Sequence, residues 1–547
     1  MAIVIGLDIG TSGIRAQAIE LGSQNVLSTA ITLRHPLPGS NVIDHLDFCL
    51  NNGREIGHDI VARAVDSVLR SLDVDLGQVE RIAACGNPIQ MSILHNIEIR
   101  DLAFGGENTL KRLGLTRPER KTAILDAGKL GLESVKPSTQ VCIPPAVAHM
   151  IGADAIAMLF KSGILERKET ALVTDYGTNA EIGLKVGDDI FIGSAAAGPA
   201  IEGQEIKRGM LASPGAISDL NAVGDELRVT VLDSSMIGCH SYTLDAGAWQ
   251  ILRKEKGYIR PKGITGTGTI ALVYTGMKSG FIKLPNIATA DKVVHLFDGE
   301  IDFFKEDLTE VGKAFGAFRA GHLTLVNHLG LKIEDIQAAY MAGAGGTYVD
   351  PIKAQGVGLV PPNVRDIYQV GNTSLAFACD IAKDTNVLDK AQEIAERLKK
   401  THVLFPVQES FKNAYICELG LWEGMSTPDY HMFLQRYHLP DYPECTVAPE
   451  IHRVVVRDIP NLGSKGLHIV RDIGVEMTAV FDGCNGCLSC EKACLENALK
   501  VEEVDGKFTA RIRTELCDGI ACRKCAAACP EKVYSYSSFR VEKRDHR

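Results

Sequence analysis

Along the first 390 residues, short β-branched runs alternate with stretches of helical period. AIVIGLDIG at 2–10, RIAACG at 81–86, ALVTDYG at 171–177 and IFIGSA at 190–195 read as strands. Between them, Ile60, Ala64, Val68 and Leu72 put one apolar face on a helix over 56–72. Phe315, Phe318, Leu325 and Leu329 do the same over 311–329, and a long helix is predicted over 386–400. The alternation predicts an α/β fold on mixed or parallel sheets. From 401 to 470 the pattern loosens, with Pro406, Pro428, Pro440, Pro443, Pro449 and Pro460 among Tyr415, Trp422, Tyr430, Phe433 and Tyr437. That mixture predicts a compact connector. A cysteine-rich segment follows at about 475–535, and the chain ends in the charged run RVEKRDHR. No repeat of solenoid length is visible.

Composition narrows the class. The 547 residues suggest three or four domains. An apolar fraction of 45% with 23% charged residues excludes wholesale disorder. With 58 Lys plus Arg against 68 Asp plus Glu, the net charge is -10, a poor match to a phosphate backbone, so no nucleic-acid partner is expected. No apolar run approaches the roughly 18 residues of a membrane span. The N-terminal apolar stretch is broken at Asp8, unlike a signal peptide. No membrane partner and a cytoplasmic location are the expectations, so the 15 cysteines do not imply a disulfide framework.

Their spacing is more telling. Eight of them form two runs: Cys484-x2-Cys487-x2-Cys490-x3-Cys494 and Cys517-x4-Cys522-x2-Cys525-x3-Cys529-Pro530. Three close cysteines in a wrapped loop supply three corners of a cubane cluster, with a fourth on the helix that follows. Zinc sites use two separated pairs instead. Two tandem runs therefore predict a ferredoxin-type module with two [4Fe-4S] clusters. By analogy with two-cluster ferredoxins, Cys484, Cys487 and Cys490 share one cluster with Cys529, and Cys517, Cys522 and Cys525 share the other with Cys494. Two departures stand out: Leu495 where proline often follows the first run, and the x4 gap before Cys522. Carrying all eight ligands, residues 471–547 are expected to hold their clusters when expressed alone. The seven scattered cysteines read as small buried hydrophobes.

A second constellation lies upstream. Gly6-Leu7-Asp8-Ile9-Gly10-Thr11-Ser12-Gly13 joins the first strand to the next, IRAQAIEL. Its glycines admit phosphate to the backbone, Thr11 and Ser12 offer hydroxyls, and Asp8 suits hydrated Mg2+. Thr174-Asp175-Tyr176-Gly177-Thr178-Asn179 repeats the design, and Met341-Ala342-Gly343-Ala344-Gly345-Gly346 follows a third strand. Each segment alone is also an ordinary turn or packing motif. A dinucleotide fingerprint is not needed, and no P-loop G-x-x-x-x-G-K-[ST] appears.

In this order the three segments resemble the actin-like ATPase superfamily, in which two related subdomains clamp ATP between two phosphate hairpins and an adenosine loop. The whole chain resembles the ATP-dependent reductive activases of corrinoid proteins, in particular those serving methylamine methyltransferases of methanogenic archaea. The resemblance rests on GLDIGTSGIR at 6–15, TDYGTNAEIG at 174–183, AGAGG at 342–346, GNTS at 371–374 and both cysteine runs. Other members carry an N-terminal two-iron domain; this chain begins on the first phosphate strand.

The resemblance implies an actin-like (ribonuclease H-like) ATPase: subdomains at 1–165 and 166–400, a connector at 401–470 and an α+β dicluster ferredoxin domain at 471–547. It implies ATP-coupled reduction of cobalt(II) to cobalt(I) in corrinoid methyl-carrier proteins, fed by a low-potential electron donor. Asp8 and Asp175 would handle Mg2+ and phosphate. Gly10, Thr11, Ser12, Gly177, Thr178 and Asn179 would line the phosphates, and Gly343, Gly345 and Gly346 the adenosine. Glu181 would position the attacking water or serve as a structural partner. His149 and the four histidines from His402 to His452 read as structural. Competing readings are an activator of radical dehydratases, a small-molecule kinase with a structural ferredoxin appendage, and an ATP-binding scaffold.

Overall fold

A computed structural model describes residues 2–541 except 105, 149, 178, 199, 201 and 202. The chain divides into two compact units: residues 1–157, 374–396 and 461–547, and residues 158–373 with 397–460.

The first unit is built on a seven-stranded sheet. β1 (Ile3–Ile9), β2 (Ile14–Glu20) and β3 (Val26–Thr32) form an antiparallel meander. β4 (Val79–Gly86) lies parallel to β1 on its other side. β5 (Ala123–Asp126) and β6 (Gln140–Ile143) complete that flank, and Leu467–Val470 pairs with β3 at the opposite edge. β1 is buried along its whole length, so its apolar run does not alternate. Helix Arg54–Arg70 packs Ile60, Ala64 and Val68 into this core, on the face the sequence predicts.

The second unit repeats the plan on a six-stranded sheet. β7 (Ala171–Tyr176), β8 (Asn179–Val186) and β9 (Asp189–Ala196) form the meander. Strands Ala338–Ala342 and Asp366–Gly371 continue in parallel beside β7. A separate five-stranded sheet spans Ala216–Val223 to Gly263–Ile264. Helix Lys305–His328 buries Phe315, Phe318 and Leu325 in the core of this unit. The predicted helix at 386–400 is Asn386–Thr401.

The division differs from the expected cuts in three places. Residues 374–396 return to the first unit, because helix Thr373–Lys383 lies against β1. There a Cβ on Gly6 would stand 2.7 Å from the Cys379 backbone nitrogen. Residues 401–470 are not a separate connector. Phe405, Ala414, Trp422, Tyr430 and Leu434 are buried in the second unit's core, and Leu467–Val470 is a strand of the first unit's sheet. The cysteine-rich segment is not set apart either. Its four-stranded sheet contributes Met477, Leu499 and Ile512, with Phe539 beside that sheet, to the same apolar cluster as β1 and helix Arg54–Arg70.

Candidate functional site

In the first unit the β1–β2 hairpin turns tightly at 10–13, where Gly10 N–H donates to the Gly13 carbonyl at 3.0 Å. Gly10, Thr11 and Ser12 are half-exposed at its tip. Asp8 is buried and faces Arg15 across the strands, with Nη1 to Oδ2 at 3.3 Å. The structure adds a carboxylate that the sequence reading missed. Asp154, at the start of helix Ala153–Ser162, accepts from Ala155 N–H at 2.8 Å. Loss of water raises its pKa, and the neighbouring Asp8 raises it further. Two carboxylates that repel each other in a partly dry setting suit a divalent cation between them. The legible signal was an acidic residue in the first turn of the helix preceding the second phosphate strand.

In the second unit the β7–β8 hairpin sets Asp175 opposite Glu181. Glu181 is buried and accepts from the Ser194 hydroxyl on β9 at 3.0 Å. The glycine run after strand Ala338–Ala342 stands directly over β7. Gly343 has φ +77°, and a Cβ there would run into the Asp175 carboxylate. Gly346 lies where a Cβ would be 3.1 Å from the Tyr176 ring. The Gln369 amide fixes the loop by donating to the carbonyls of Gly346, Thr347 and Val349 at 2.9, 3.1 and 3.0 Å. Asp175, Gly343, Gly345 and Gly346 are thus brought together, and the small residues serve close packing at this strand end. Gly177 and Asn179 sit at the hairpin, half-exposed. Thr178 and His149 lie outside the described residues.

The cysteine runs converge in the first unit. Cys484, Cys487, Cys490 and Cys529 line one recess, walled by Phe481, Val501, Phe508 and Tyr534. For Cys525, burial raises the thiol pKa, and nearby Cys494 adds to the rise. Cys517 and Cys522 face the same group, and burial pushes Cys522 up to about 11. Cys529, the fourth cysteine of the second run, thus lies with the first three of the first run, and Cys494 lies near Cys525. Four soft sulfur donors lining one recess fit a [4Fe-4S] cluster. The late histidines do not assemble with one another. His431 pairs with Asp441, and His452 Nε2 meets Asp366 Oδ1 at 2.7 Å beside Glu450.

Comparisons with known proteins cover both halves. Residues 169–431 match the family described as the C-terminal domain of RACo, the ASKHA domain. Residues 3–167 match the RACo middle region, and 483–533 the 4Fe-4S dicluster domain. The chain is 42% identical over 517 residues to the [Co(II) methylated amine-specific corrinoid protein] reductase of Methanosarcina barkeri, covering 94% of this chain and 95% of that protein. It is 27% identical over 371 residues to the corrinoid activation enzyme RamQ of Eubacterium limosum, covering 65% and 60%. Among solved structures, the reductive activator for corrinoid,iron-sulfur protein superposes with a TM-score of 0.61 at 23% identity. That match covers 76% of this chain and 66% of the other, and it bears on the fold alone. With nearly the full length of both chains aligned at 42% identity, the chain belongs to the family of the [Co(II) methylated amine-specific corrinoid protein] reductases.

Proposed function

We propose that this protein uses ATP to drive reduction of cobalt(II) to cobalt(I) in corrinoid methyl-carrier proteins of methylamine methyltransferases, in the cytoplasm. The observation that carries the reading is the placement of the crossed eight-cysteine arrangement in the same compact unit as the Asp8 hairpin. When bound, the two clusters supply one-electron transfer at low potential. Cys484, Cys487, Cys490 and Cys529 hold one; Cys494, Cys517, Cys522 and Cys525 hold the other. A low-potential donor provides the electron.

Asp8 and Asp154 present oxygens to Mg2+, which keeps several of its waters and takes few carboxylates. Thr11 and Ser12 donate hydroxyl hydrogens to phosphate oxygens at the hairpin tip. In the second unit Gly177, Thr178 and Asn179 would offer the same chemistry to phosphate, with the Asp175 carboxylate available to a hydrated cation there. The adenosine is assigned to the backbone of the Gly343, Gly345 and Gly346 loop, which these glycines let pack closely on Asp175 and Tyr176. Glu181, fixed by Ser194, orients the attacking water. A reading as a small-molecule kinase gives no use to the thiol recess.

The test is Asp175→Ala. It is expected to leave iron content and dithionite reduction unchanged, because Asp175 lies in the other unit from every cysteine of the two runs. It is expected to lower ATP-dependent cobalt(I) formation by at least about 100-fold, about 2.7 kcal/mol of lost charge handling. Activation at the parent rate would overturn the nucleotide assignment.

A further inference from the structure

We infer that Arg34 is a positioning residue that couples the Asp8 phosphate hairpin to the two cysteine loops; this rests on the nucleotide and cluster reading above. Arg34 lies just past β3, and the backbone it springs from supports the hairpin. Ile14 N–H donates to Thr32 Oγ1 at 2.8 Å. A methyl group on Gly13 would stand 2.9 Å from Thr32 Oγ1, 3.0 Å from the Thr32 carbonyl and 3.6 Å from the Arg34 carbonyl. The hairpin cannot shift toward β3 without displacing this strand end.

The side chain points the other way, into the cysteine-rich segment. Its Nη2 donates to Glu496 Oε2 at 2.5 Å, and its Nη1 to Asp518 Oδ1 at 3.0 Å and to the Leu516 carbonyl at 3.4 Å. Glu496 follows Cys494 by two residues, and Asp518 follows Cys517 directly. One guanidinium therefore joins the flanks of both runs, at the two cysteines that come from different runs yet serve one cluster. The three side chains are only 16, 21 and 14% exposed, so the pairs are partly shielded from salt and solvent. A planar fork spans two carboxylates in a way an ammonium does not.

The same stretch explains the x4 gap. Gly39 N–H donates to the Cys517 carbonyl at 2.8 Å, and the Thr514 hydroxyl to the Pro36 carbonyl at 2.6 Å. Asp44 Oδ1 accepts from Ile520 N–H at 3.1 Å. Gly519 has φ +76°, and a Cβ there would collide with the Asp44 carboxylate. The longer loop seats on residues 34–44, the segment that also carries the hairpin's support. Phosphate binding at the hairpin therefore shifts Arg34 and, through it, the charges that surround the Cys494/Cys517 group.

The test uses the full, anaerobically purified chain with both clusters, plus and minus ATP-Mg, read by hydrogen exchange and by EPR-monitored redox titration. In the parent protein, ATP is expected to slow exchange in 8–14, to change it in 514–522, and to move one midpoint potential. In Arg34→Gln the response at 8–14 is retained, while the loop response and the potential shift are lost. The Glu496→Gln/Asp518→Asn double variant keeps Arg34 and is expected to behave likewise, which covers the case in which Arg34→Gln does not assemble. A parent protein protected at 8–14 but silent at 514–522 and in potential would overturn the coupling and leave the proposed function standing. So would variants that keep the parent response. No ATP response at 8–14 at all would overturn both.

Discussion

Glu418 shows how a single buried charge is held. It has no exposed surface, accepts from Arg319 Nε and from the Tyr430 hydroxyl at 2.5 Å each, and Arg319 also sits 3.8 Å over the Tyr442 ring. Removing one member of such a group leaves an unpaired buried charge, at a cost of about 3–5 kcal/mol. Glu418→Ala is therefore expected to lower the urea midpoint of the second unit. Tryptophan fluorescence reports it, because both tryptophans, Trp249 and Trp422, lie there. An unchanged midpoint would remove the network from the account. Nearby, burial and then Arg319 lower the His322 pKa to about 3. Folded His322 stays neutral where the unfolded chain takes up a proton. Stability is thus full above about pH 6.5 and falls as pH drops toward 3, by about 1.4 kcal/mol per unit well below 6.5. His322→Gln should flatten that acid limb by one proton; parallel slopes would contradict this. Neither network was legible in the sequence, because contacts such as Arg319 with Glu418 join residues far apart in the chain. Asp154 was missed for the same reason: it gains meaning only beside Asp8.

Among the elements, the hairpins were the most legible. A glycine-punctuated turn after a fully apolar strand says much by itself, and β1, β2, β7 and β8 lie where the pattern puts them. The x3 step in each cysteine run, which carries the fourth cysteine out of its own loop, led to the expectation of crossed ligation, and Cys529 does line the recess of Cys484, Cys487 and Cys490. What spacing did not reveal was the seat of the segment. Ile473, Met477 and Phe539 bury against the apolar cluster of β1 and helix Arg54–Arg70, and Leu467–Val470 belongs to that unit's sheet. Cut free at 471, the segment exposes this face to water. The isolated 471–547 fragment is therefore expected to bind less than the full complement of iron and to aggregate. A fragment that extends to 461 and is co-expressed with 1–157 recovers it. Iron and sulfide analysis after size exclusion checks this, and a soluble, fully loaded 471–547 fragment would count against the shared core.

At the scale of the whole molecule, the alternation of strands and helices indicated an α/β fold, the cysteine spacing a dicluster segment and the family resemblance an ATPase; a corrinoid-protein reductase 42% identical over nearly the full chain agrees. The repeat of one sheet plan in each unit was implied by the resemblance and is visible in the strand order. The cuts were harder. Proline and aromatic density over 401–470 suggested a separate compact connector, yet Trp422, Tyr430 and Leu434 are core residues of the second unit, because buried area and not local irregularity decides where a segment belongs. The central claim is that ATP pushes an electron uphill onto cobalt. Its most direct test is anaerobic: the loaded protein, a low-potential reductant and a cobalt(II) methylamine corrinoid protein, with the cobalt(I) absorbance followed before and after ATP-Mg is added. The account predicts negligible cobalt(I) until ATP arrives and stoichiometric conversion afterwards, and cobalt(I) appearing at the same rate without ATP would contradict it.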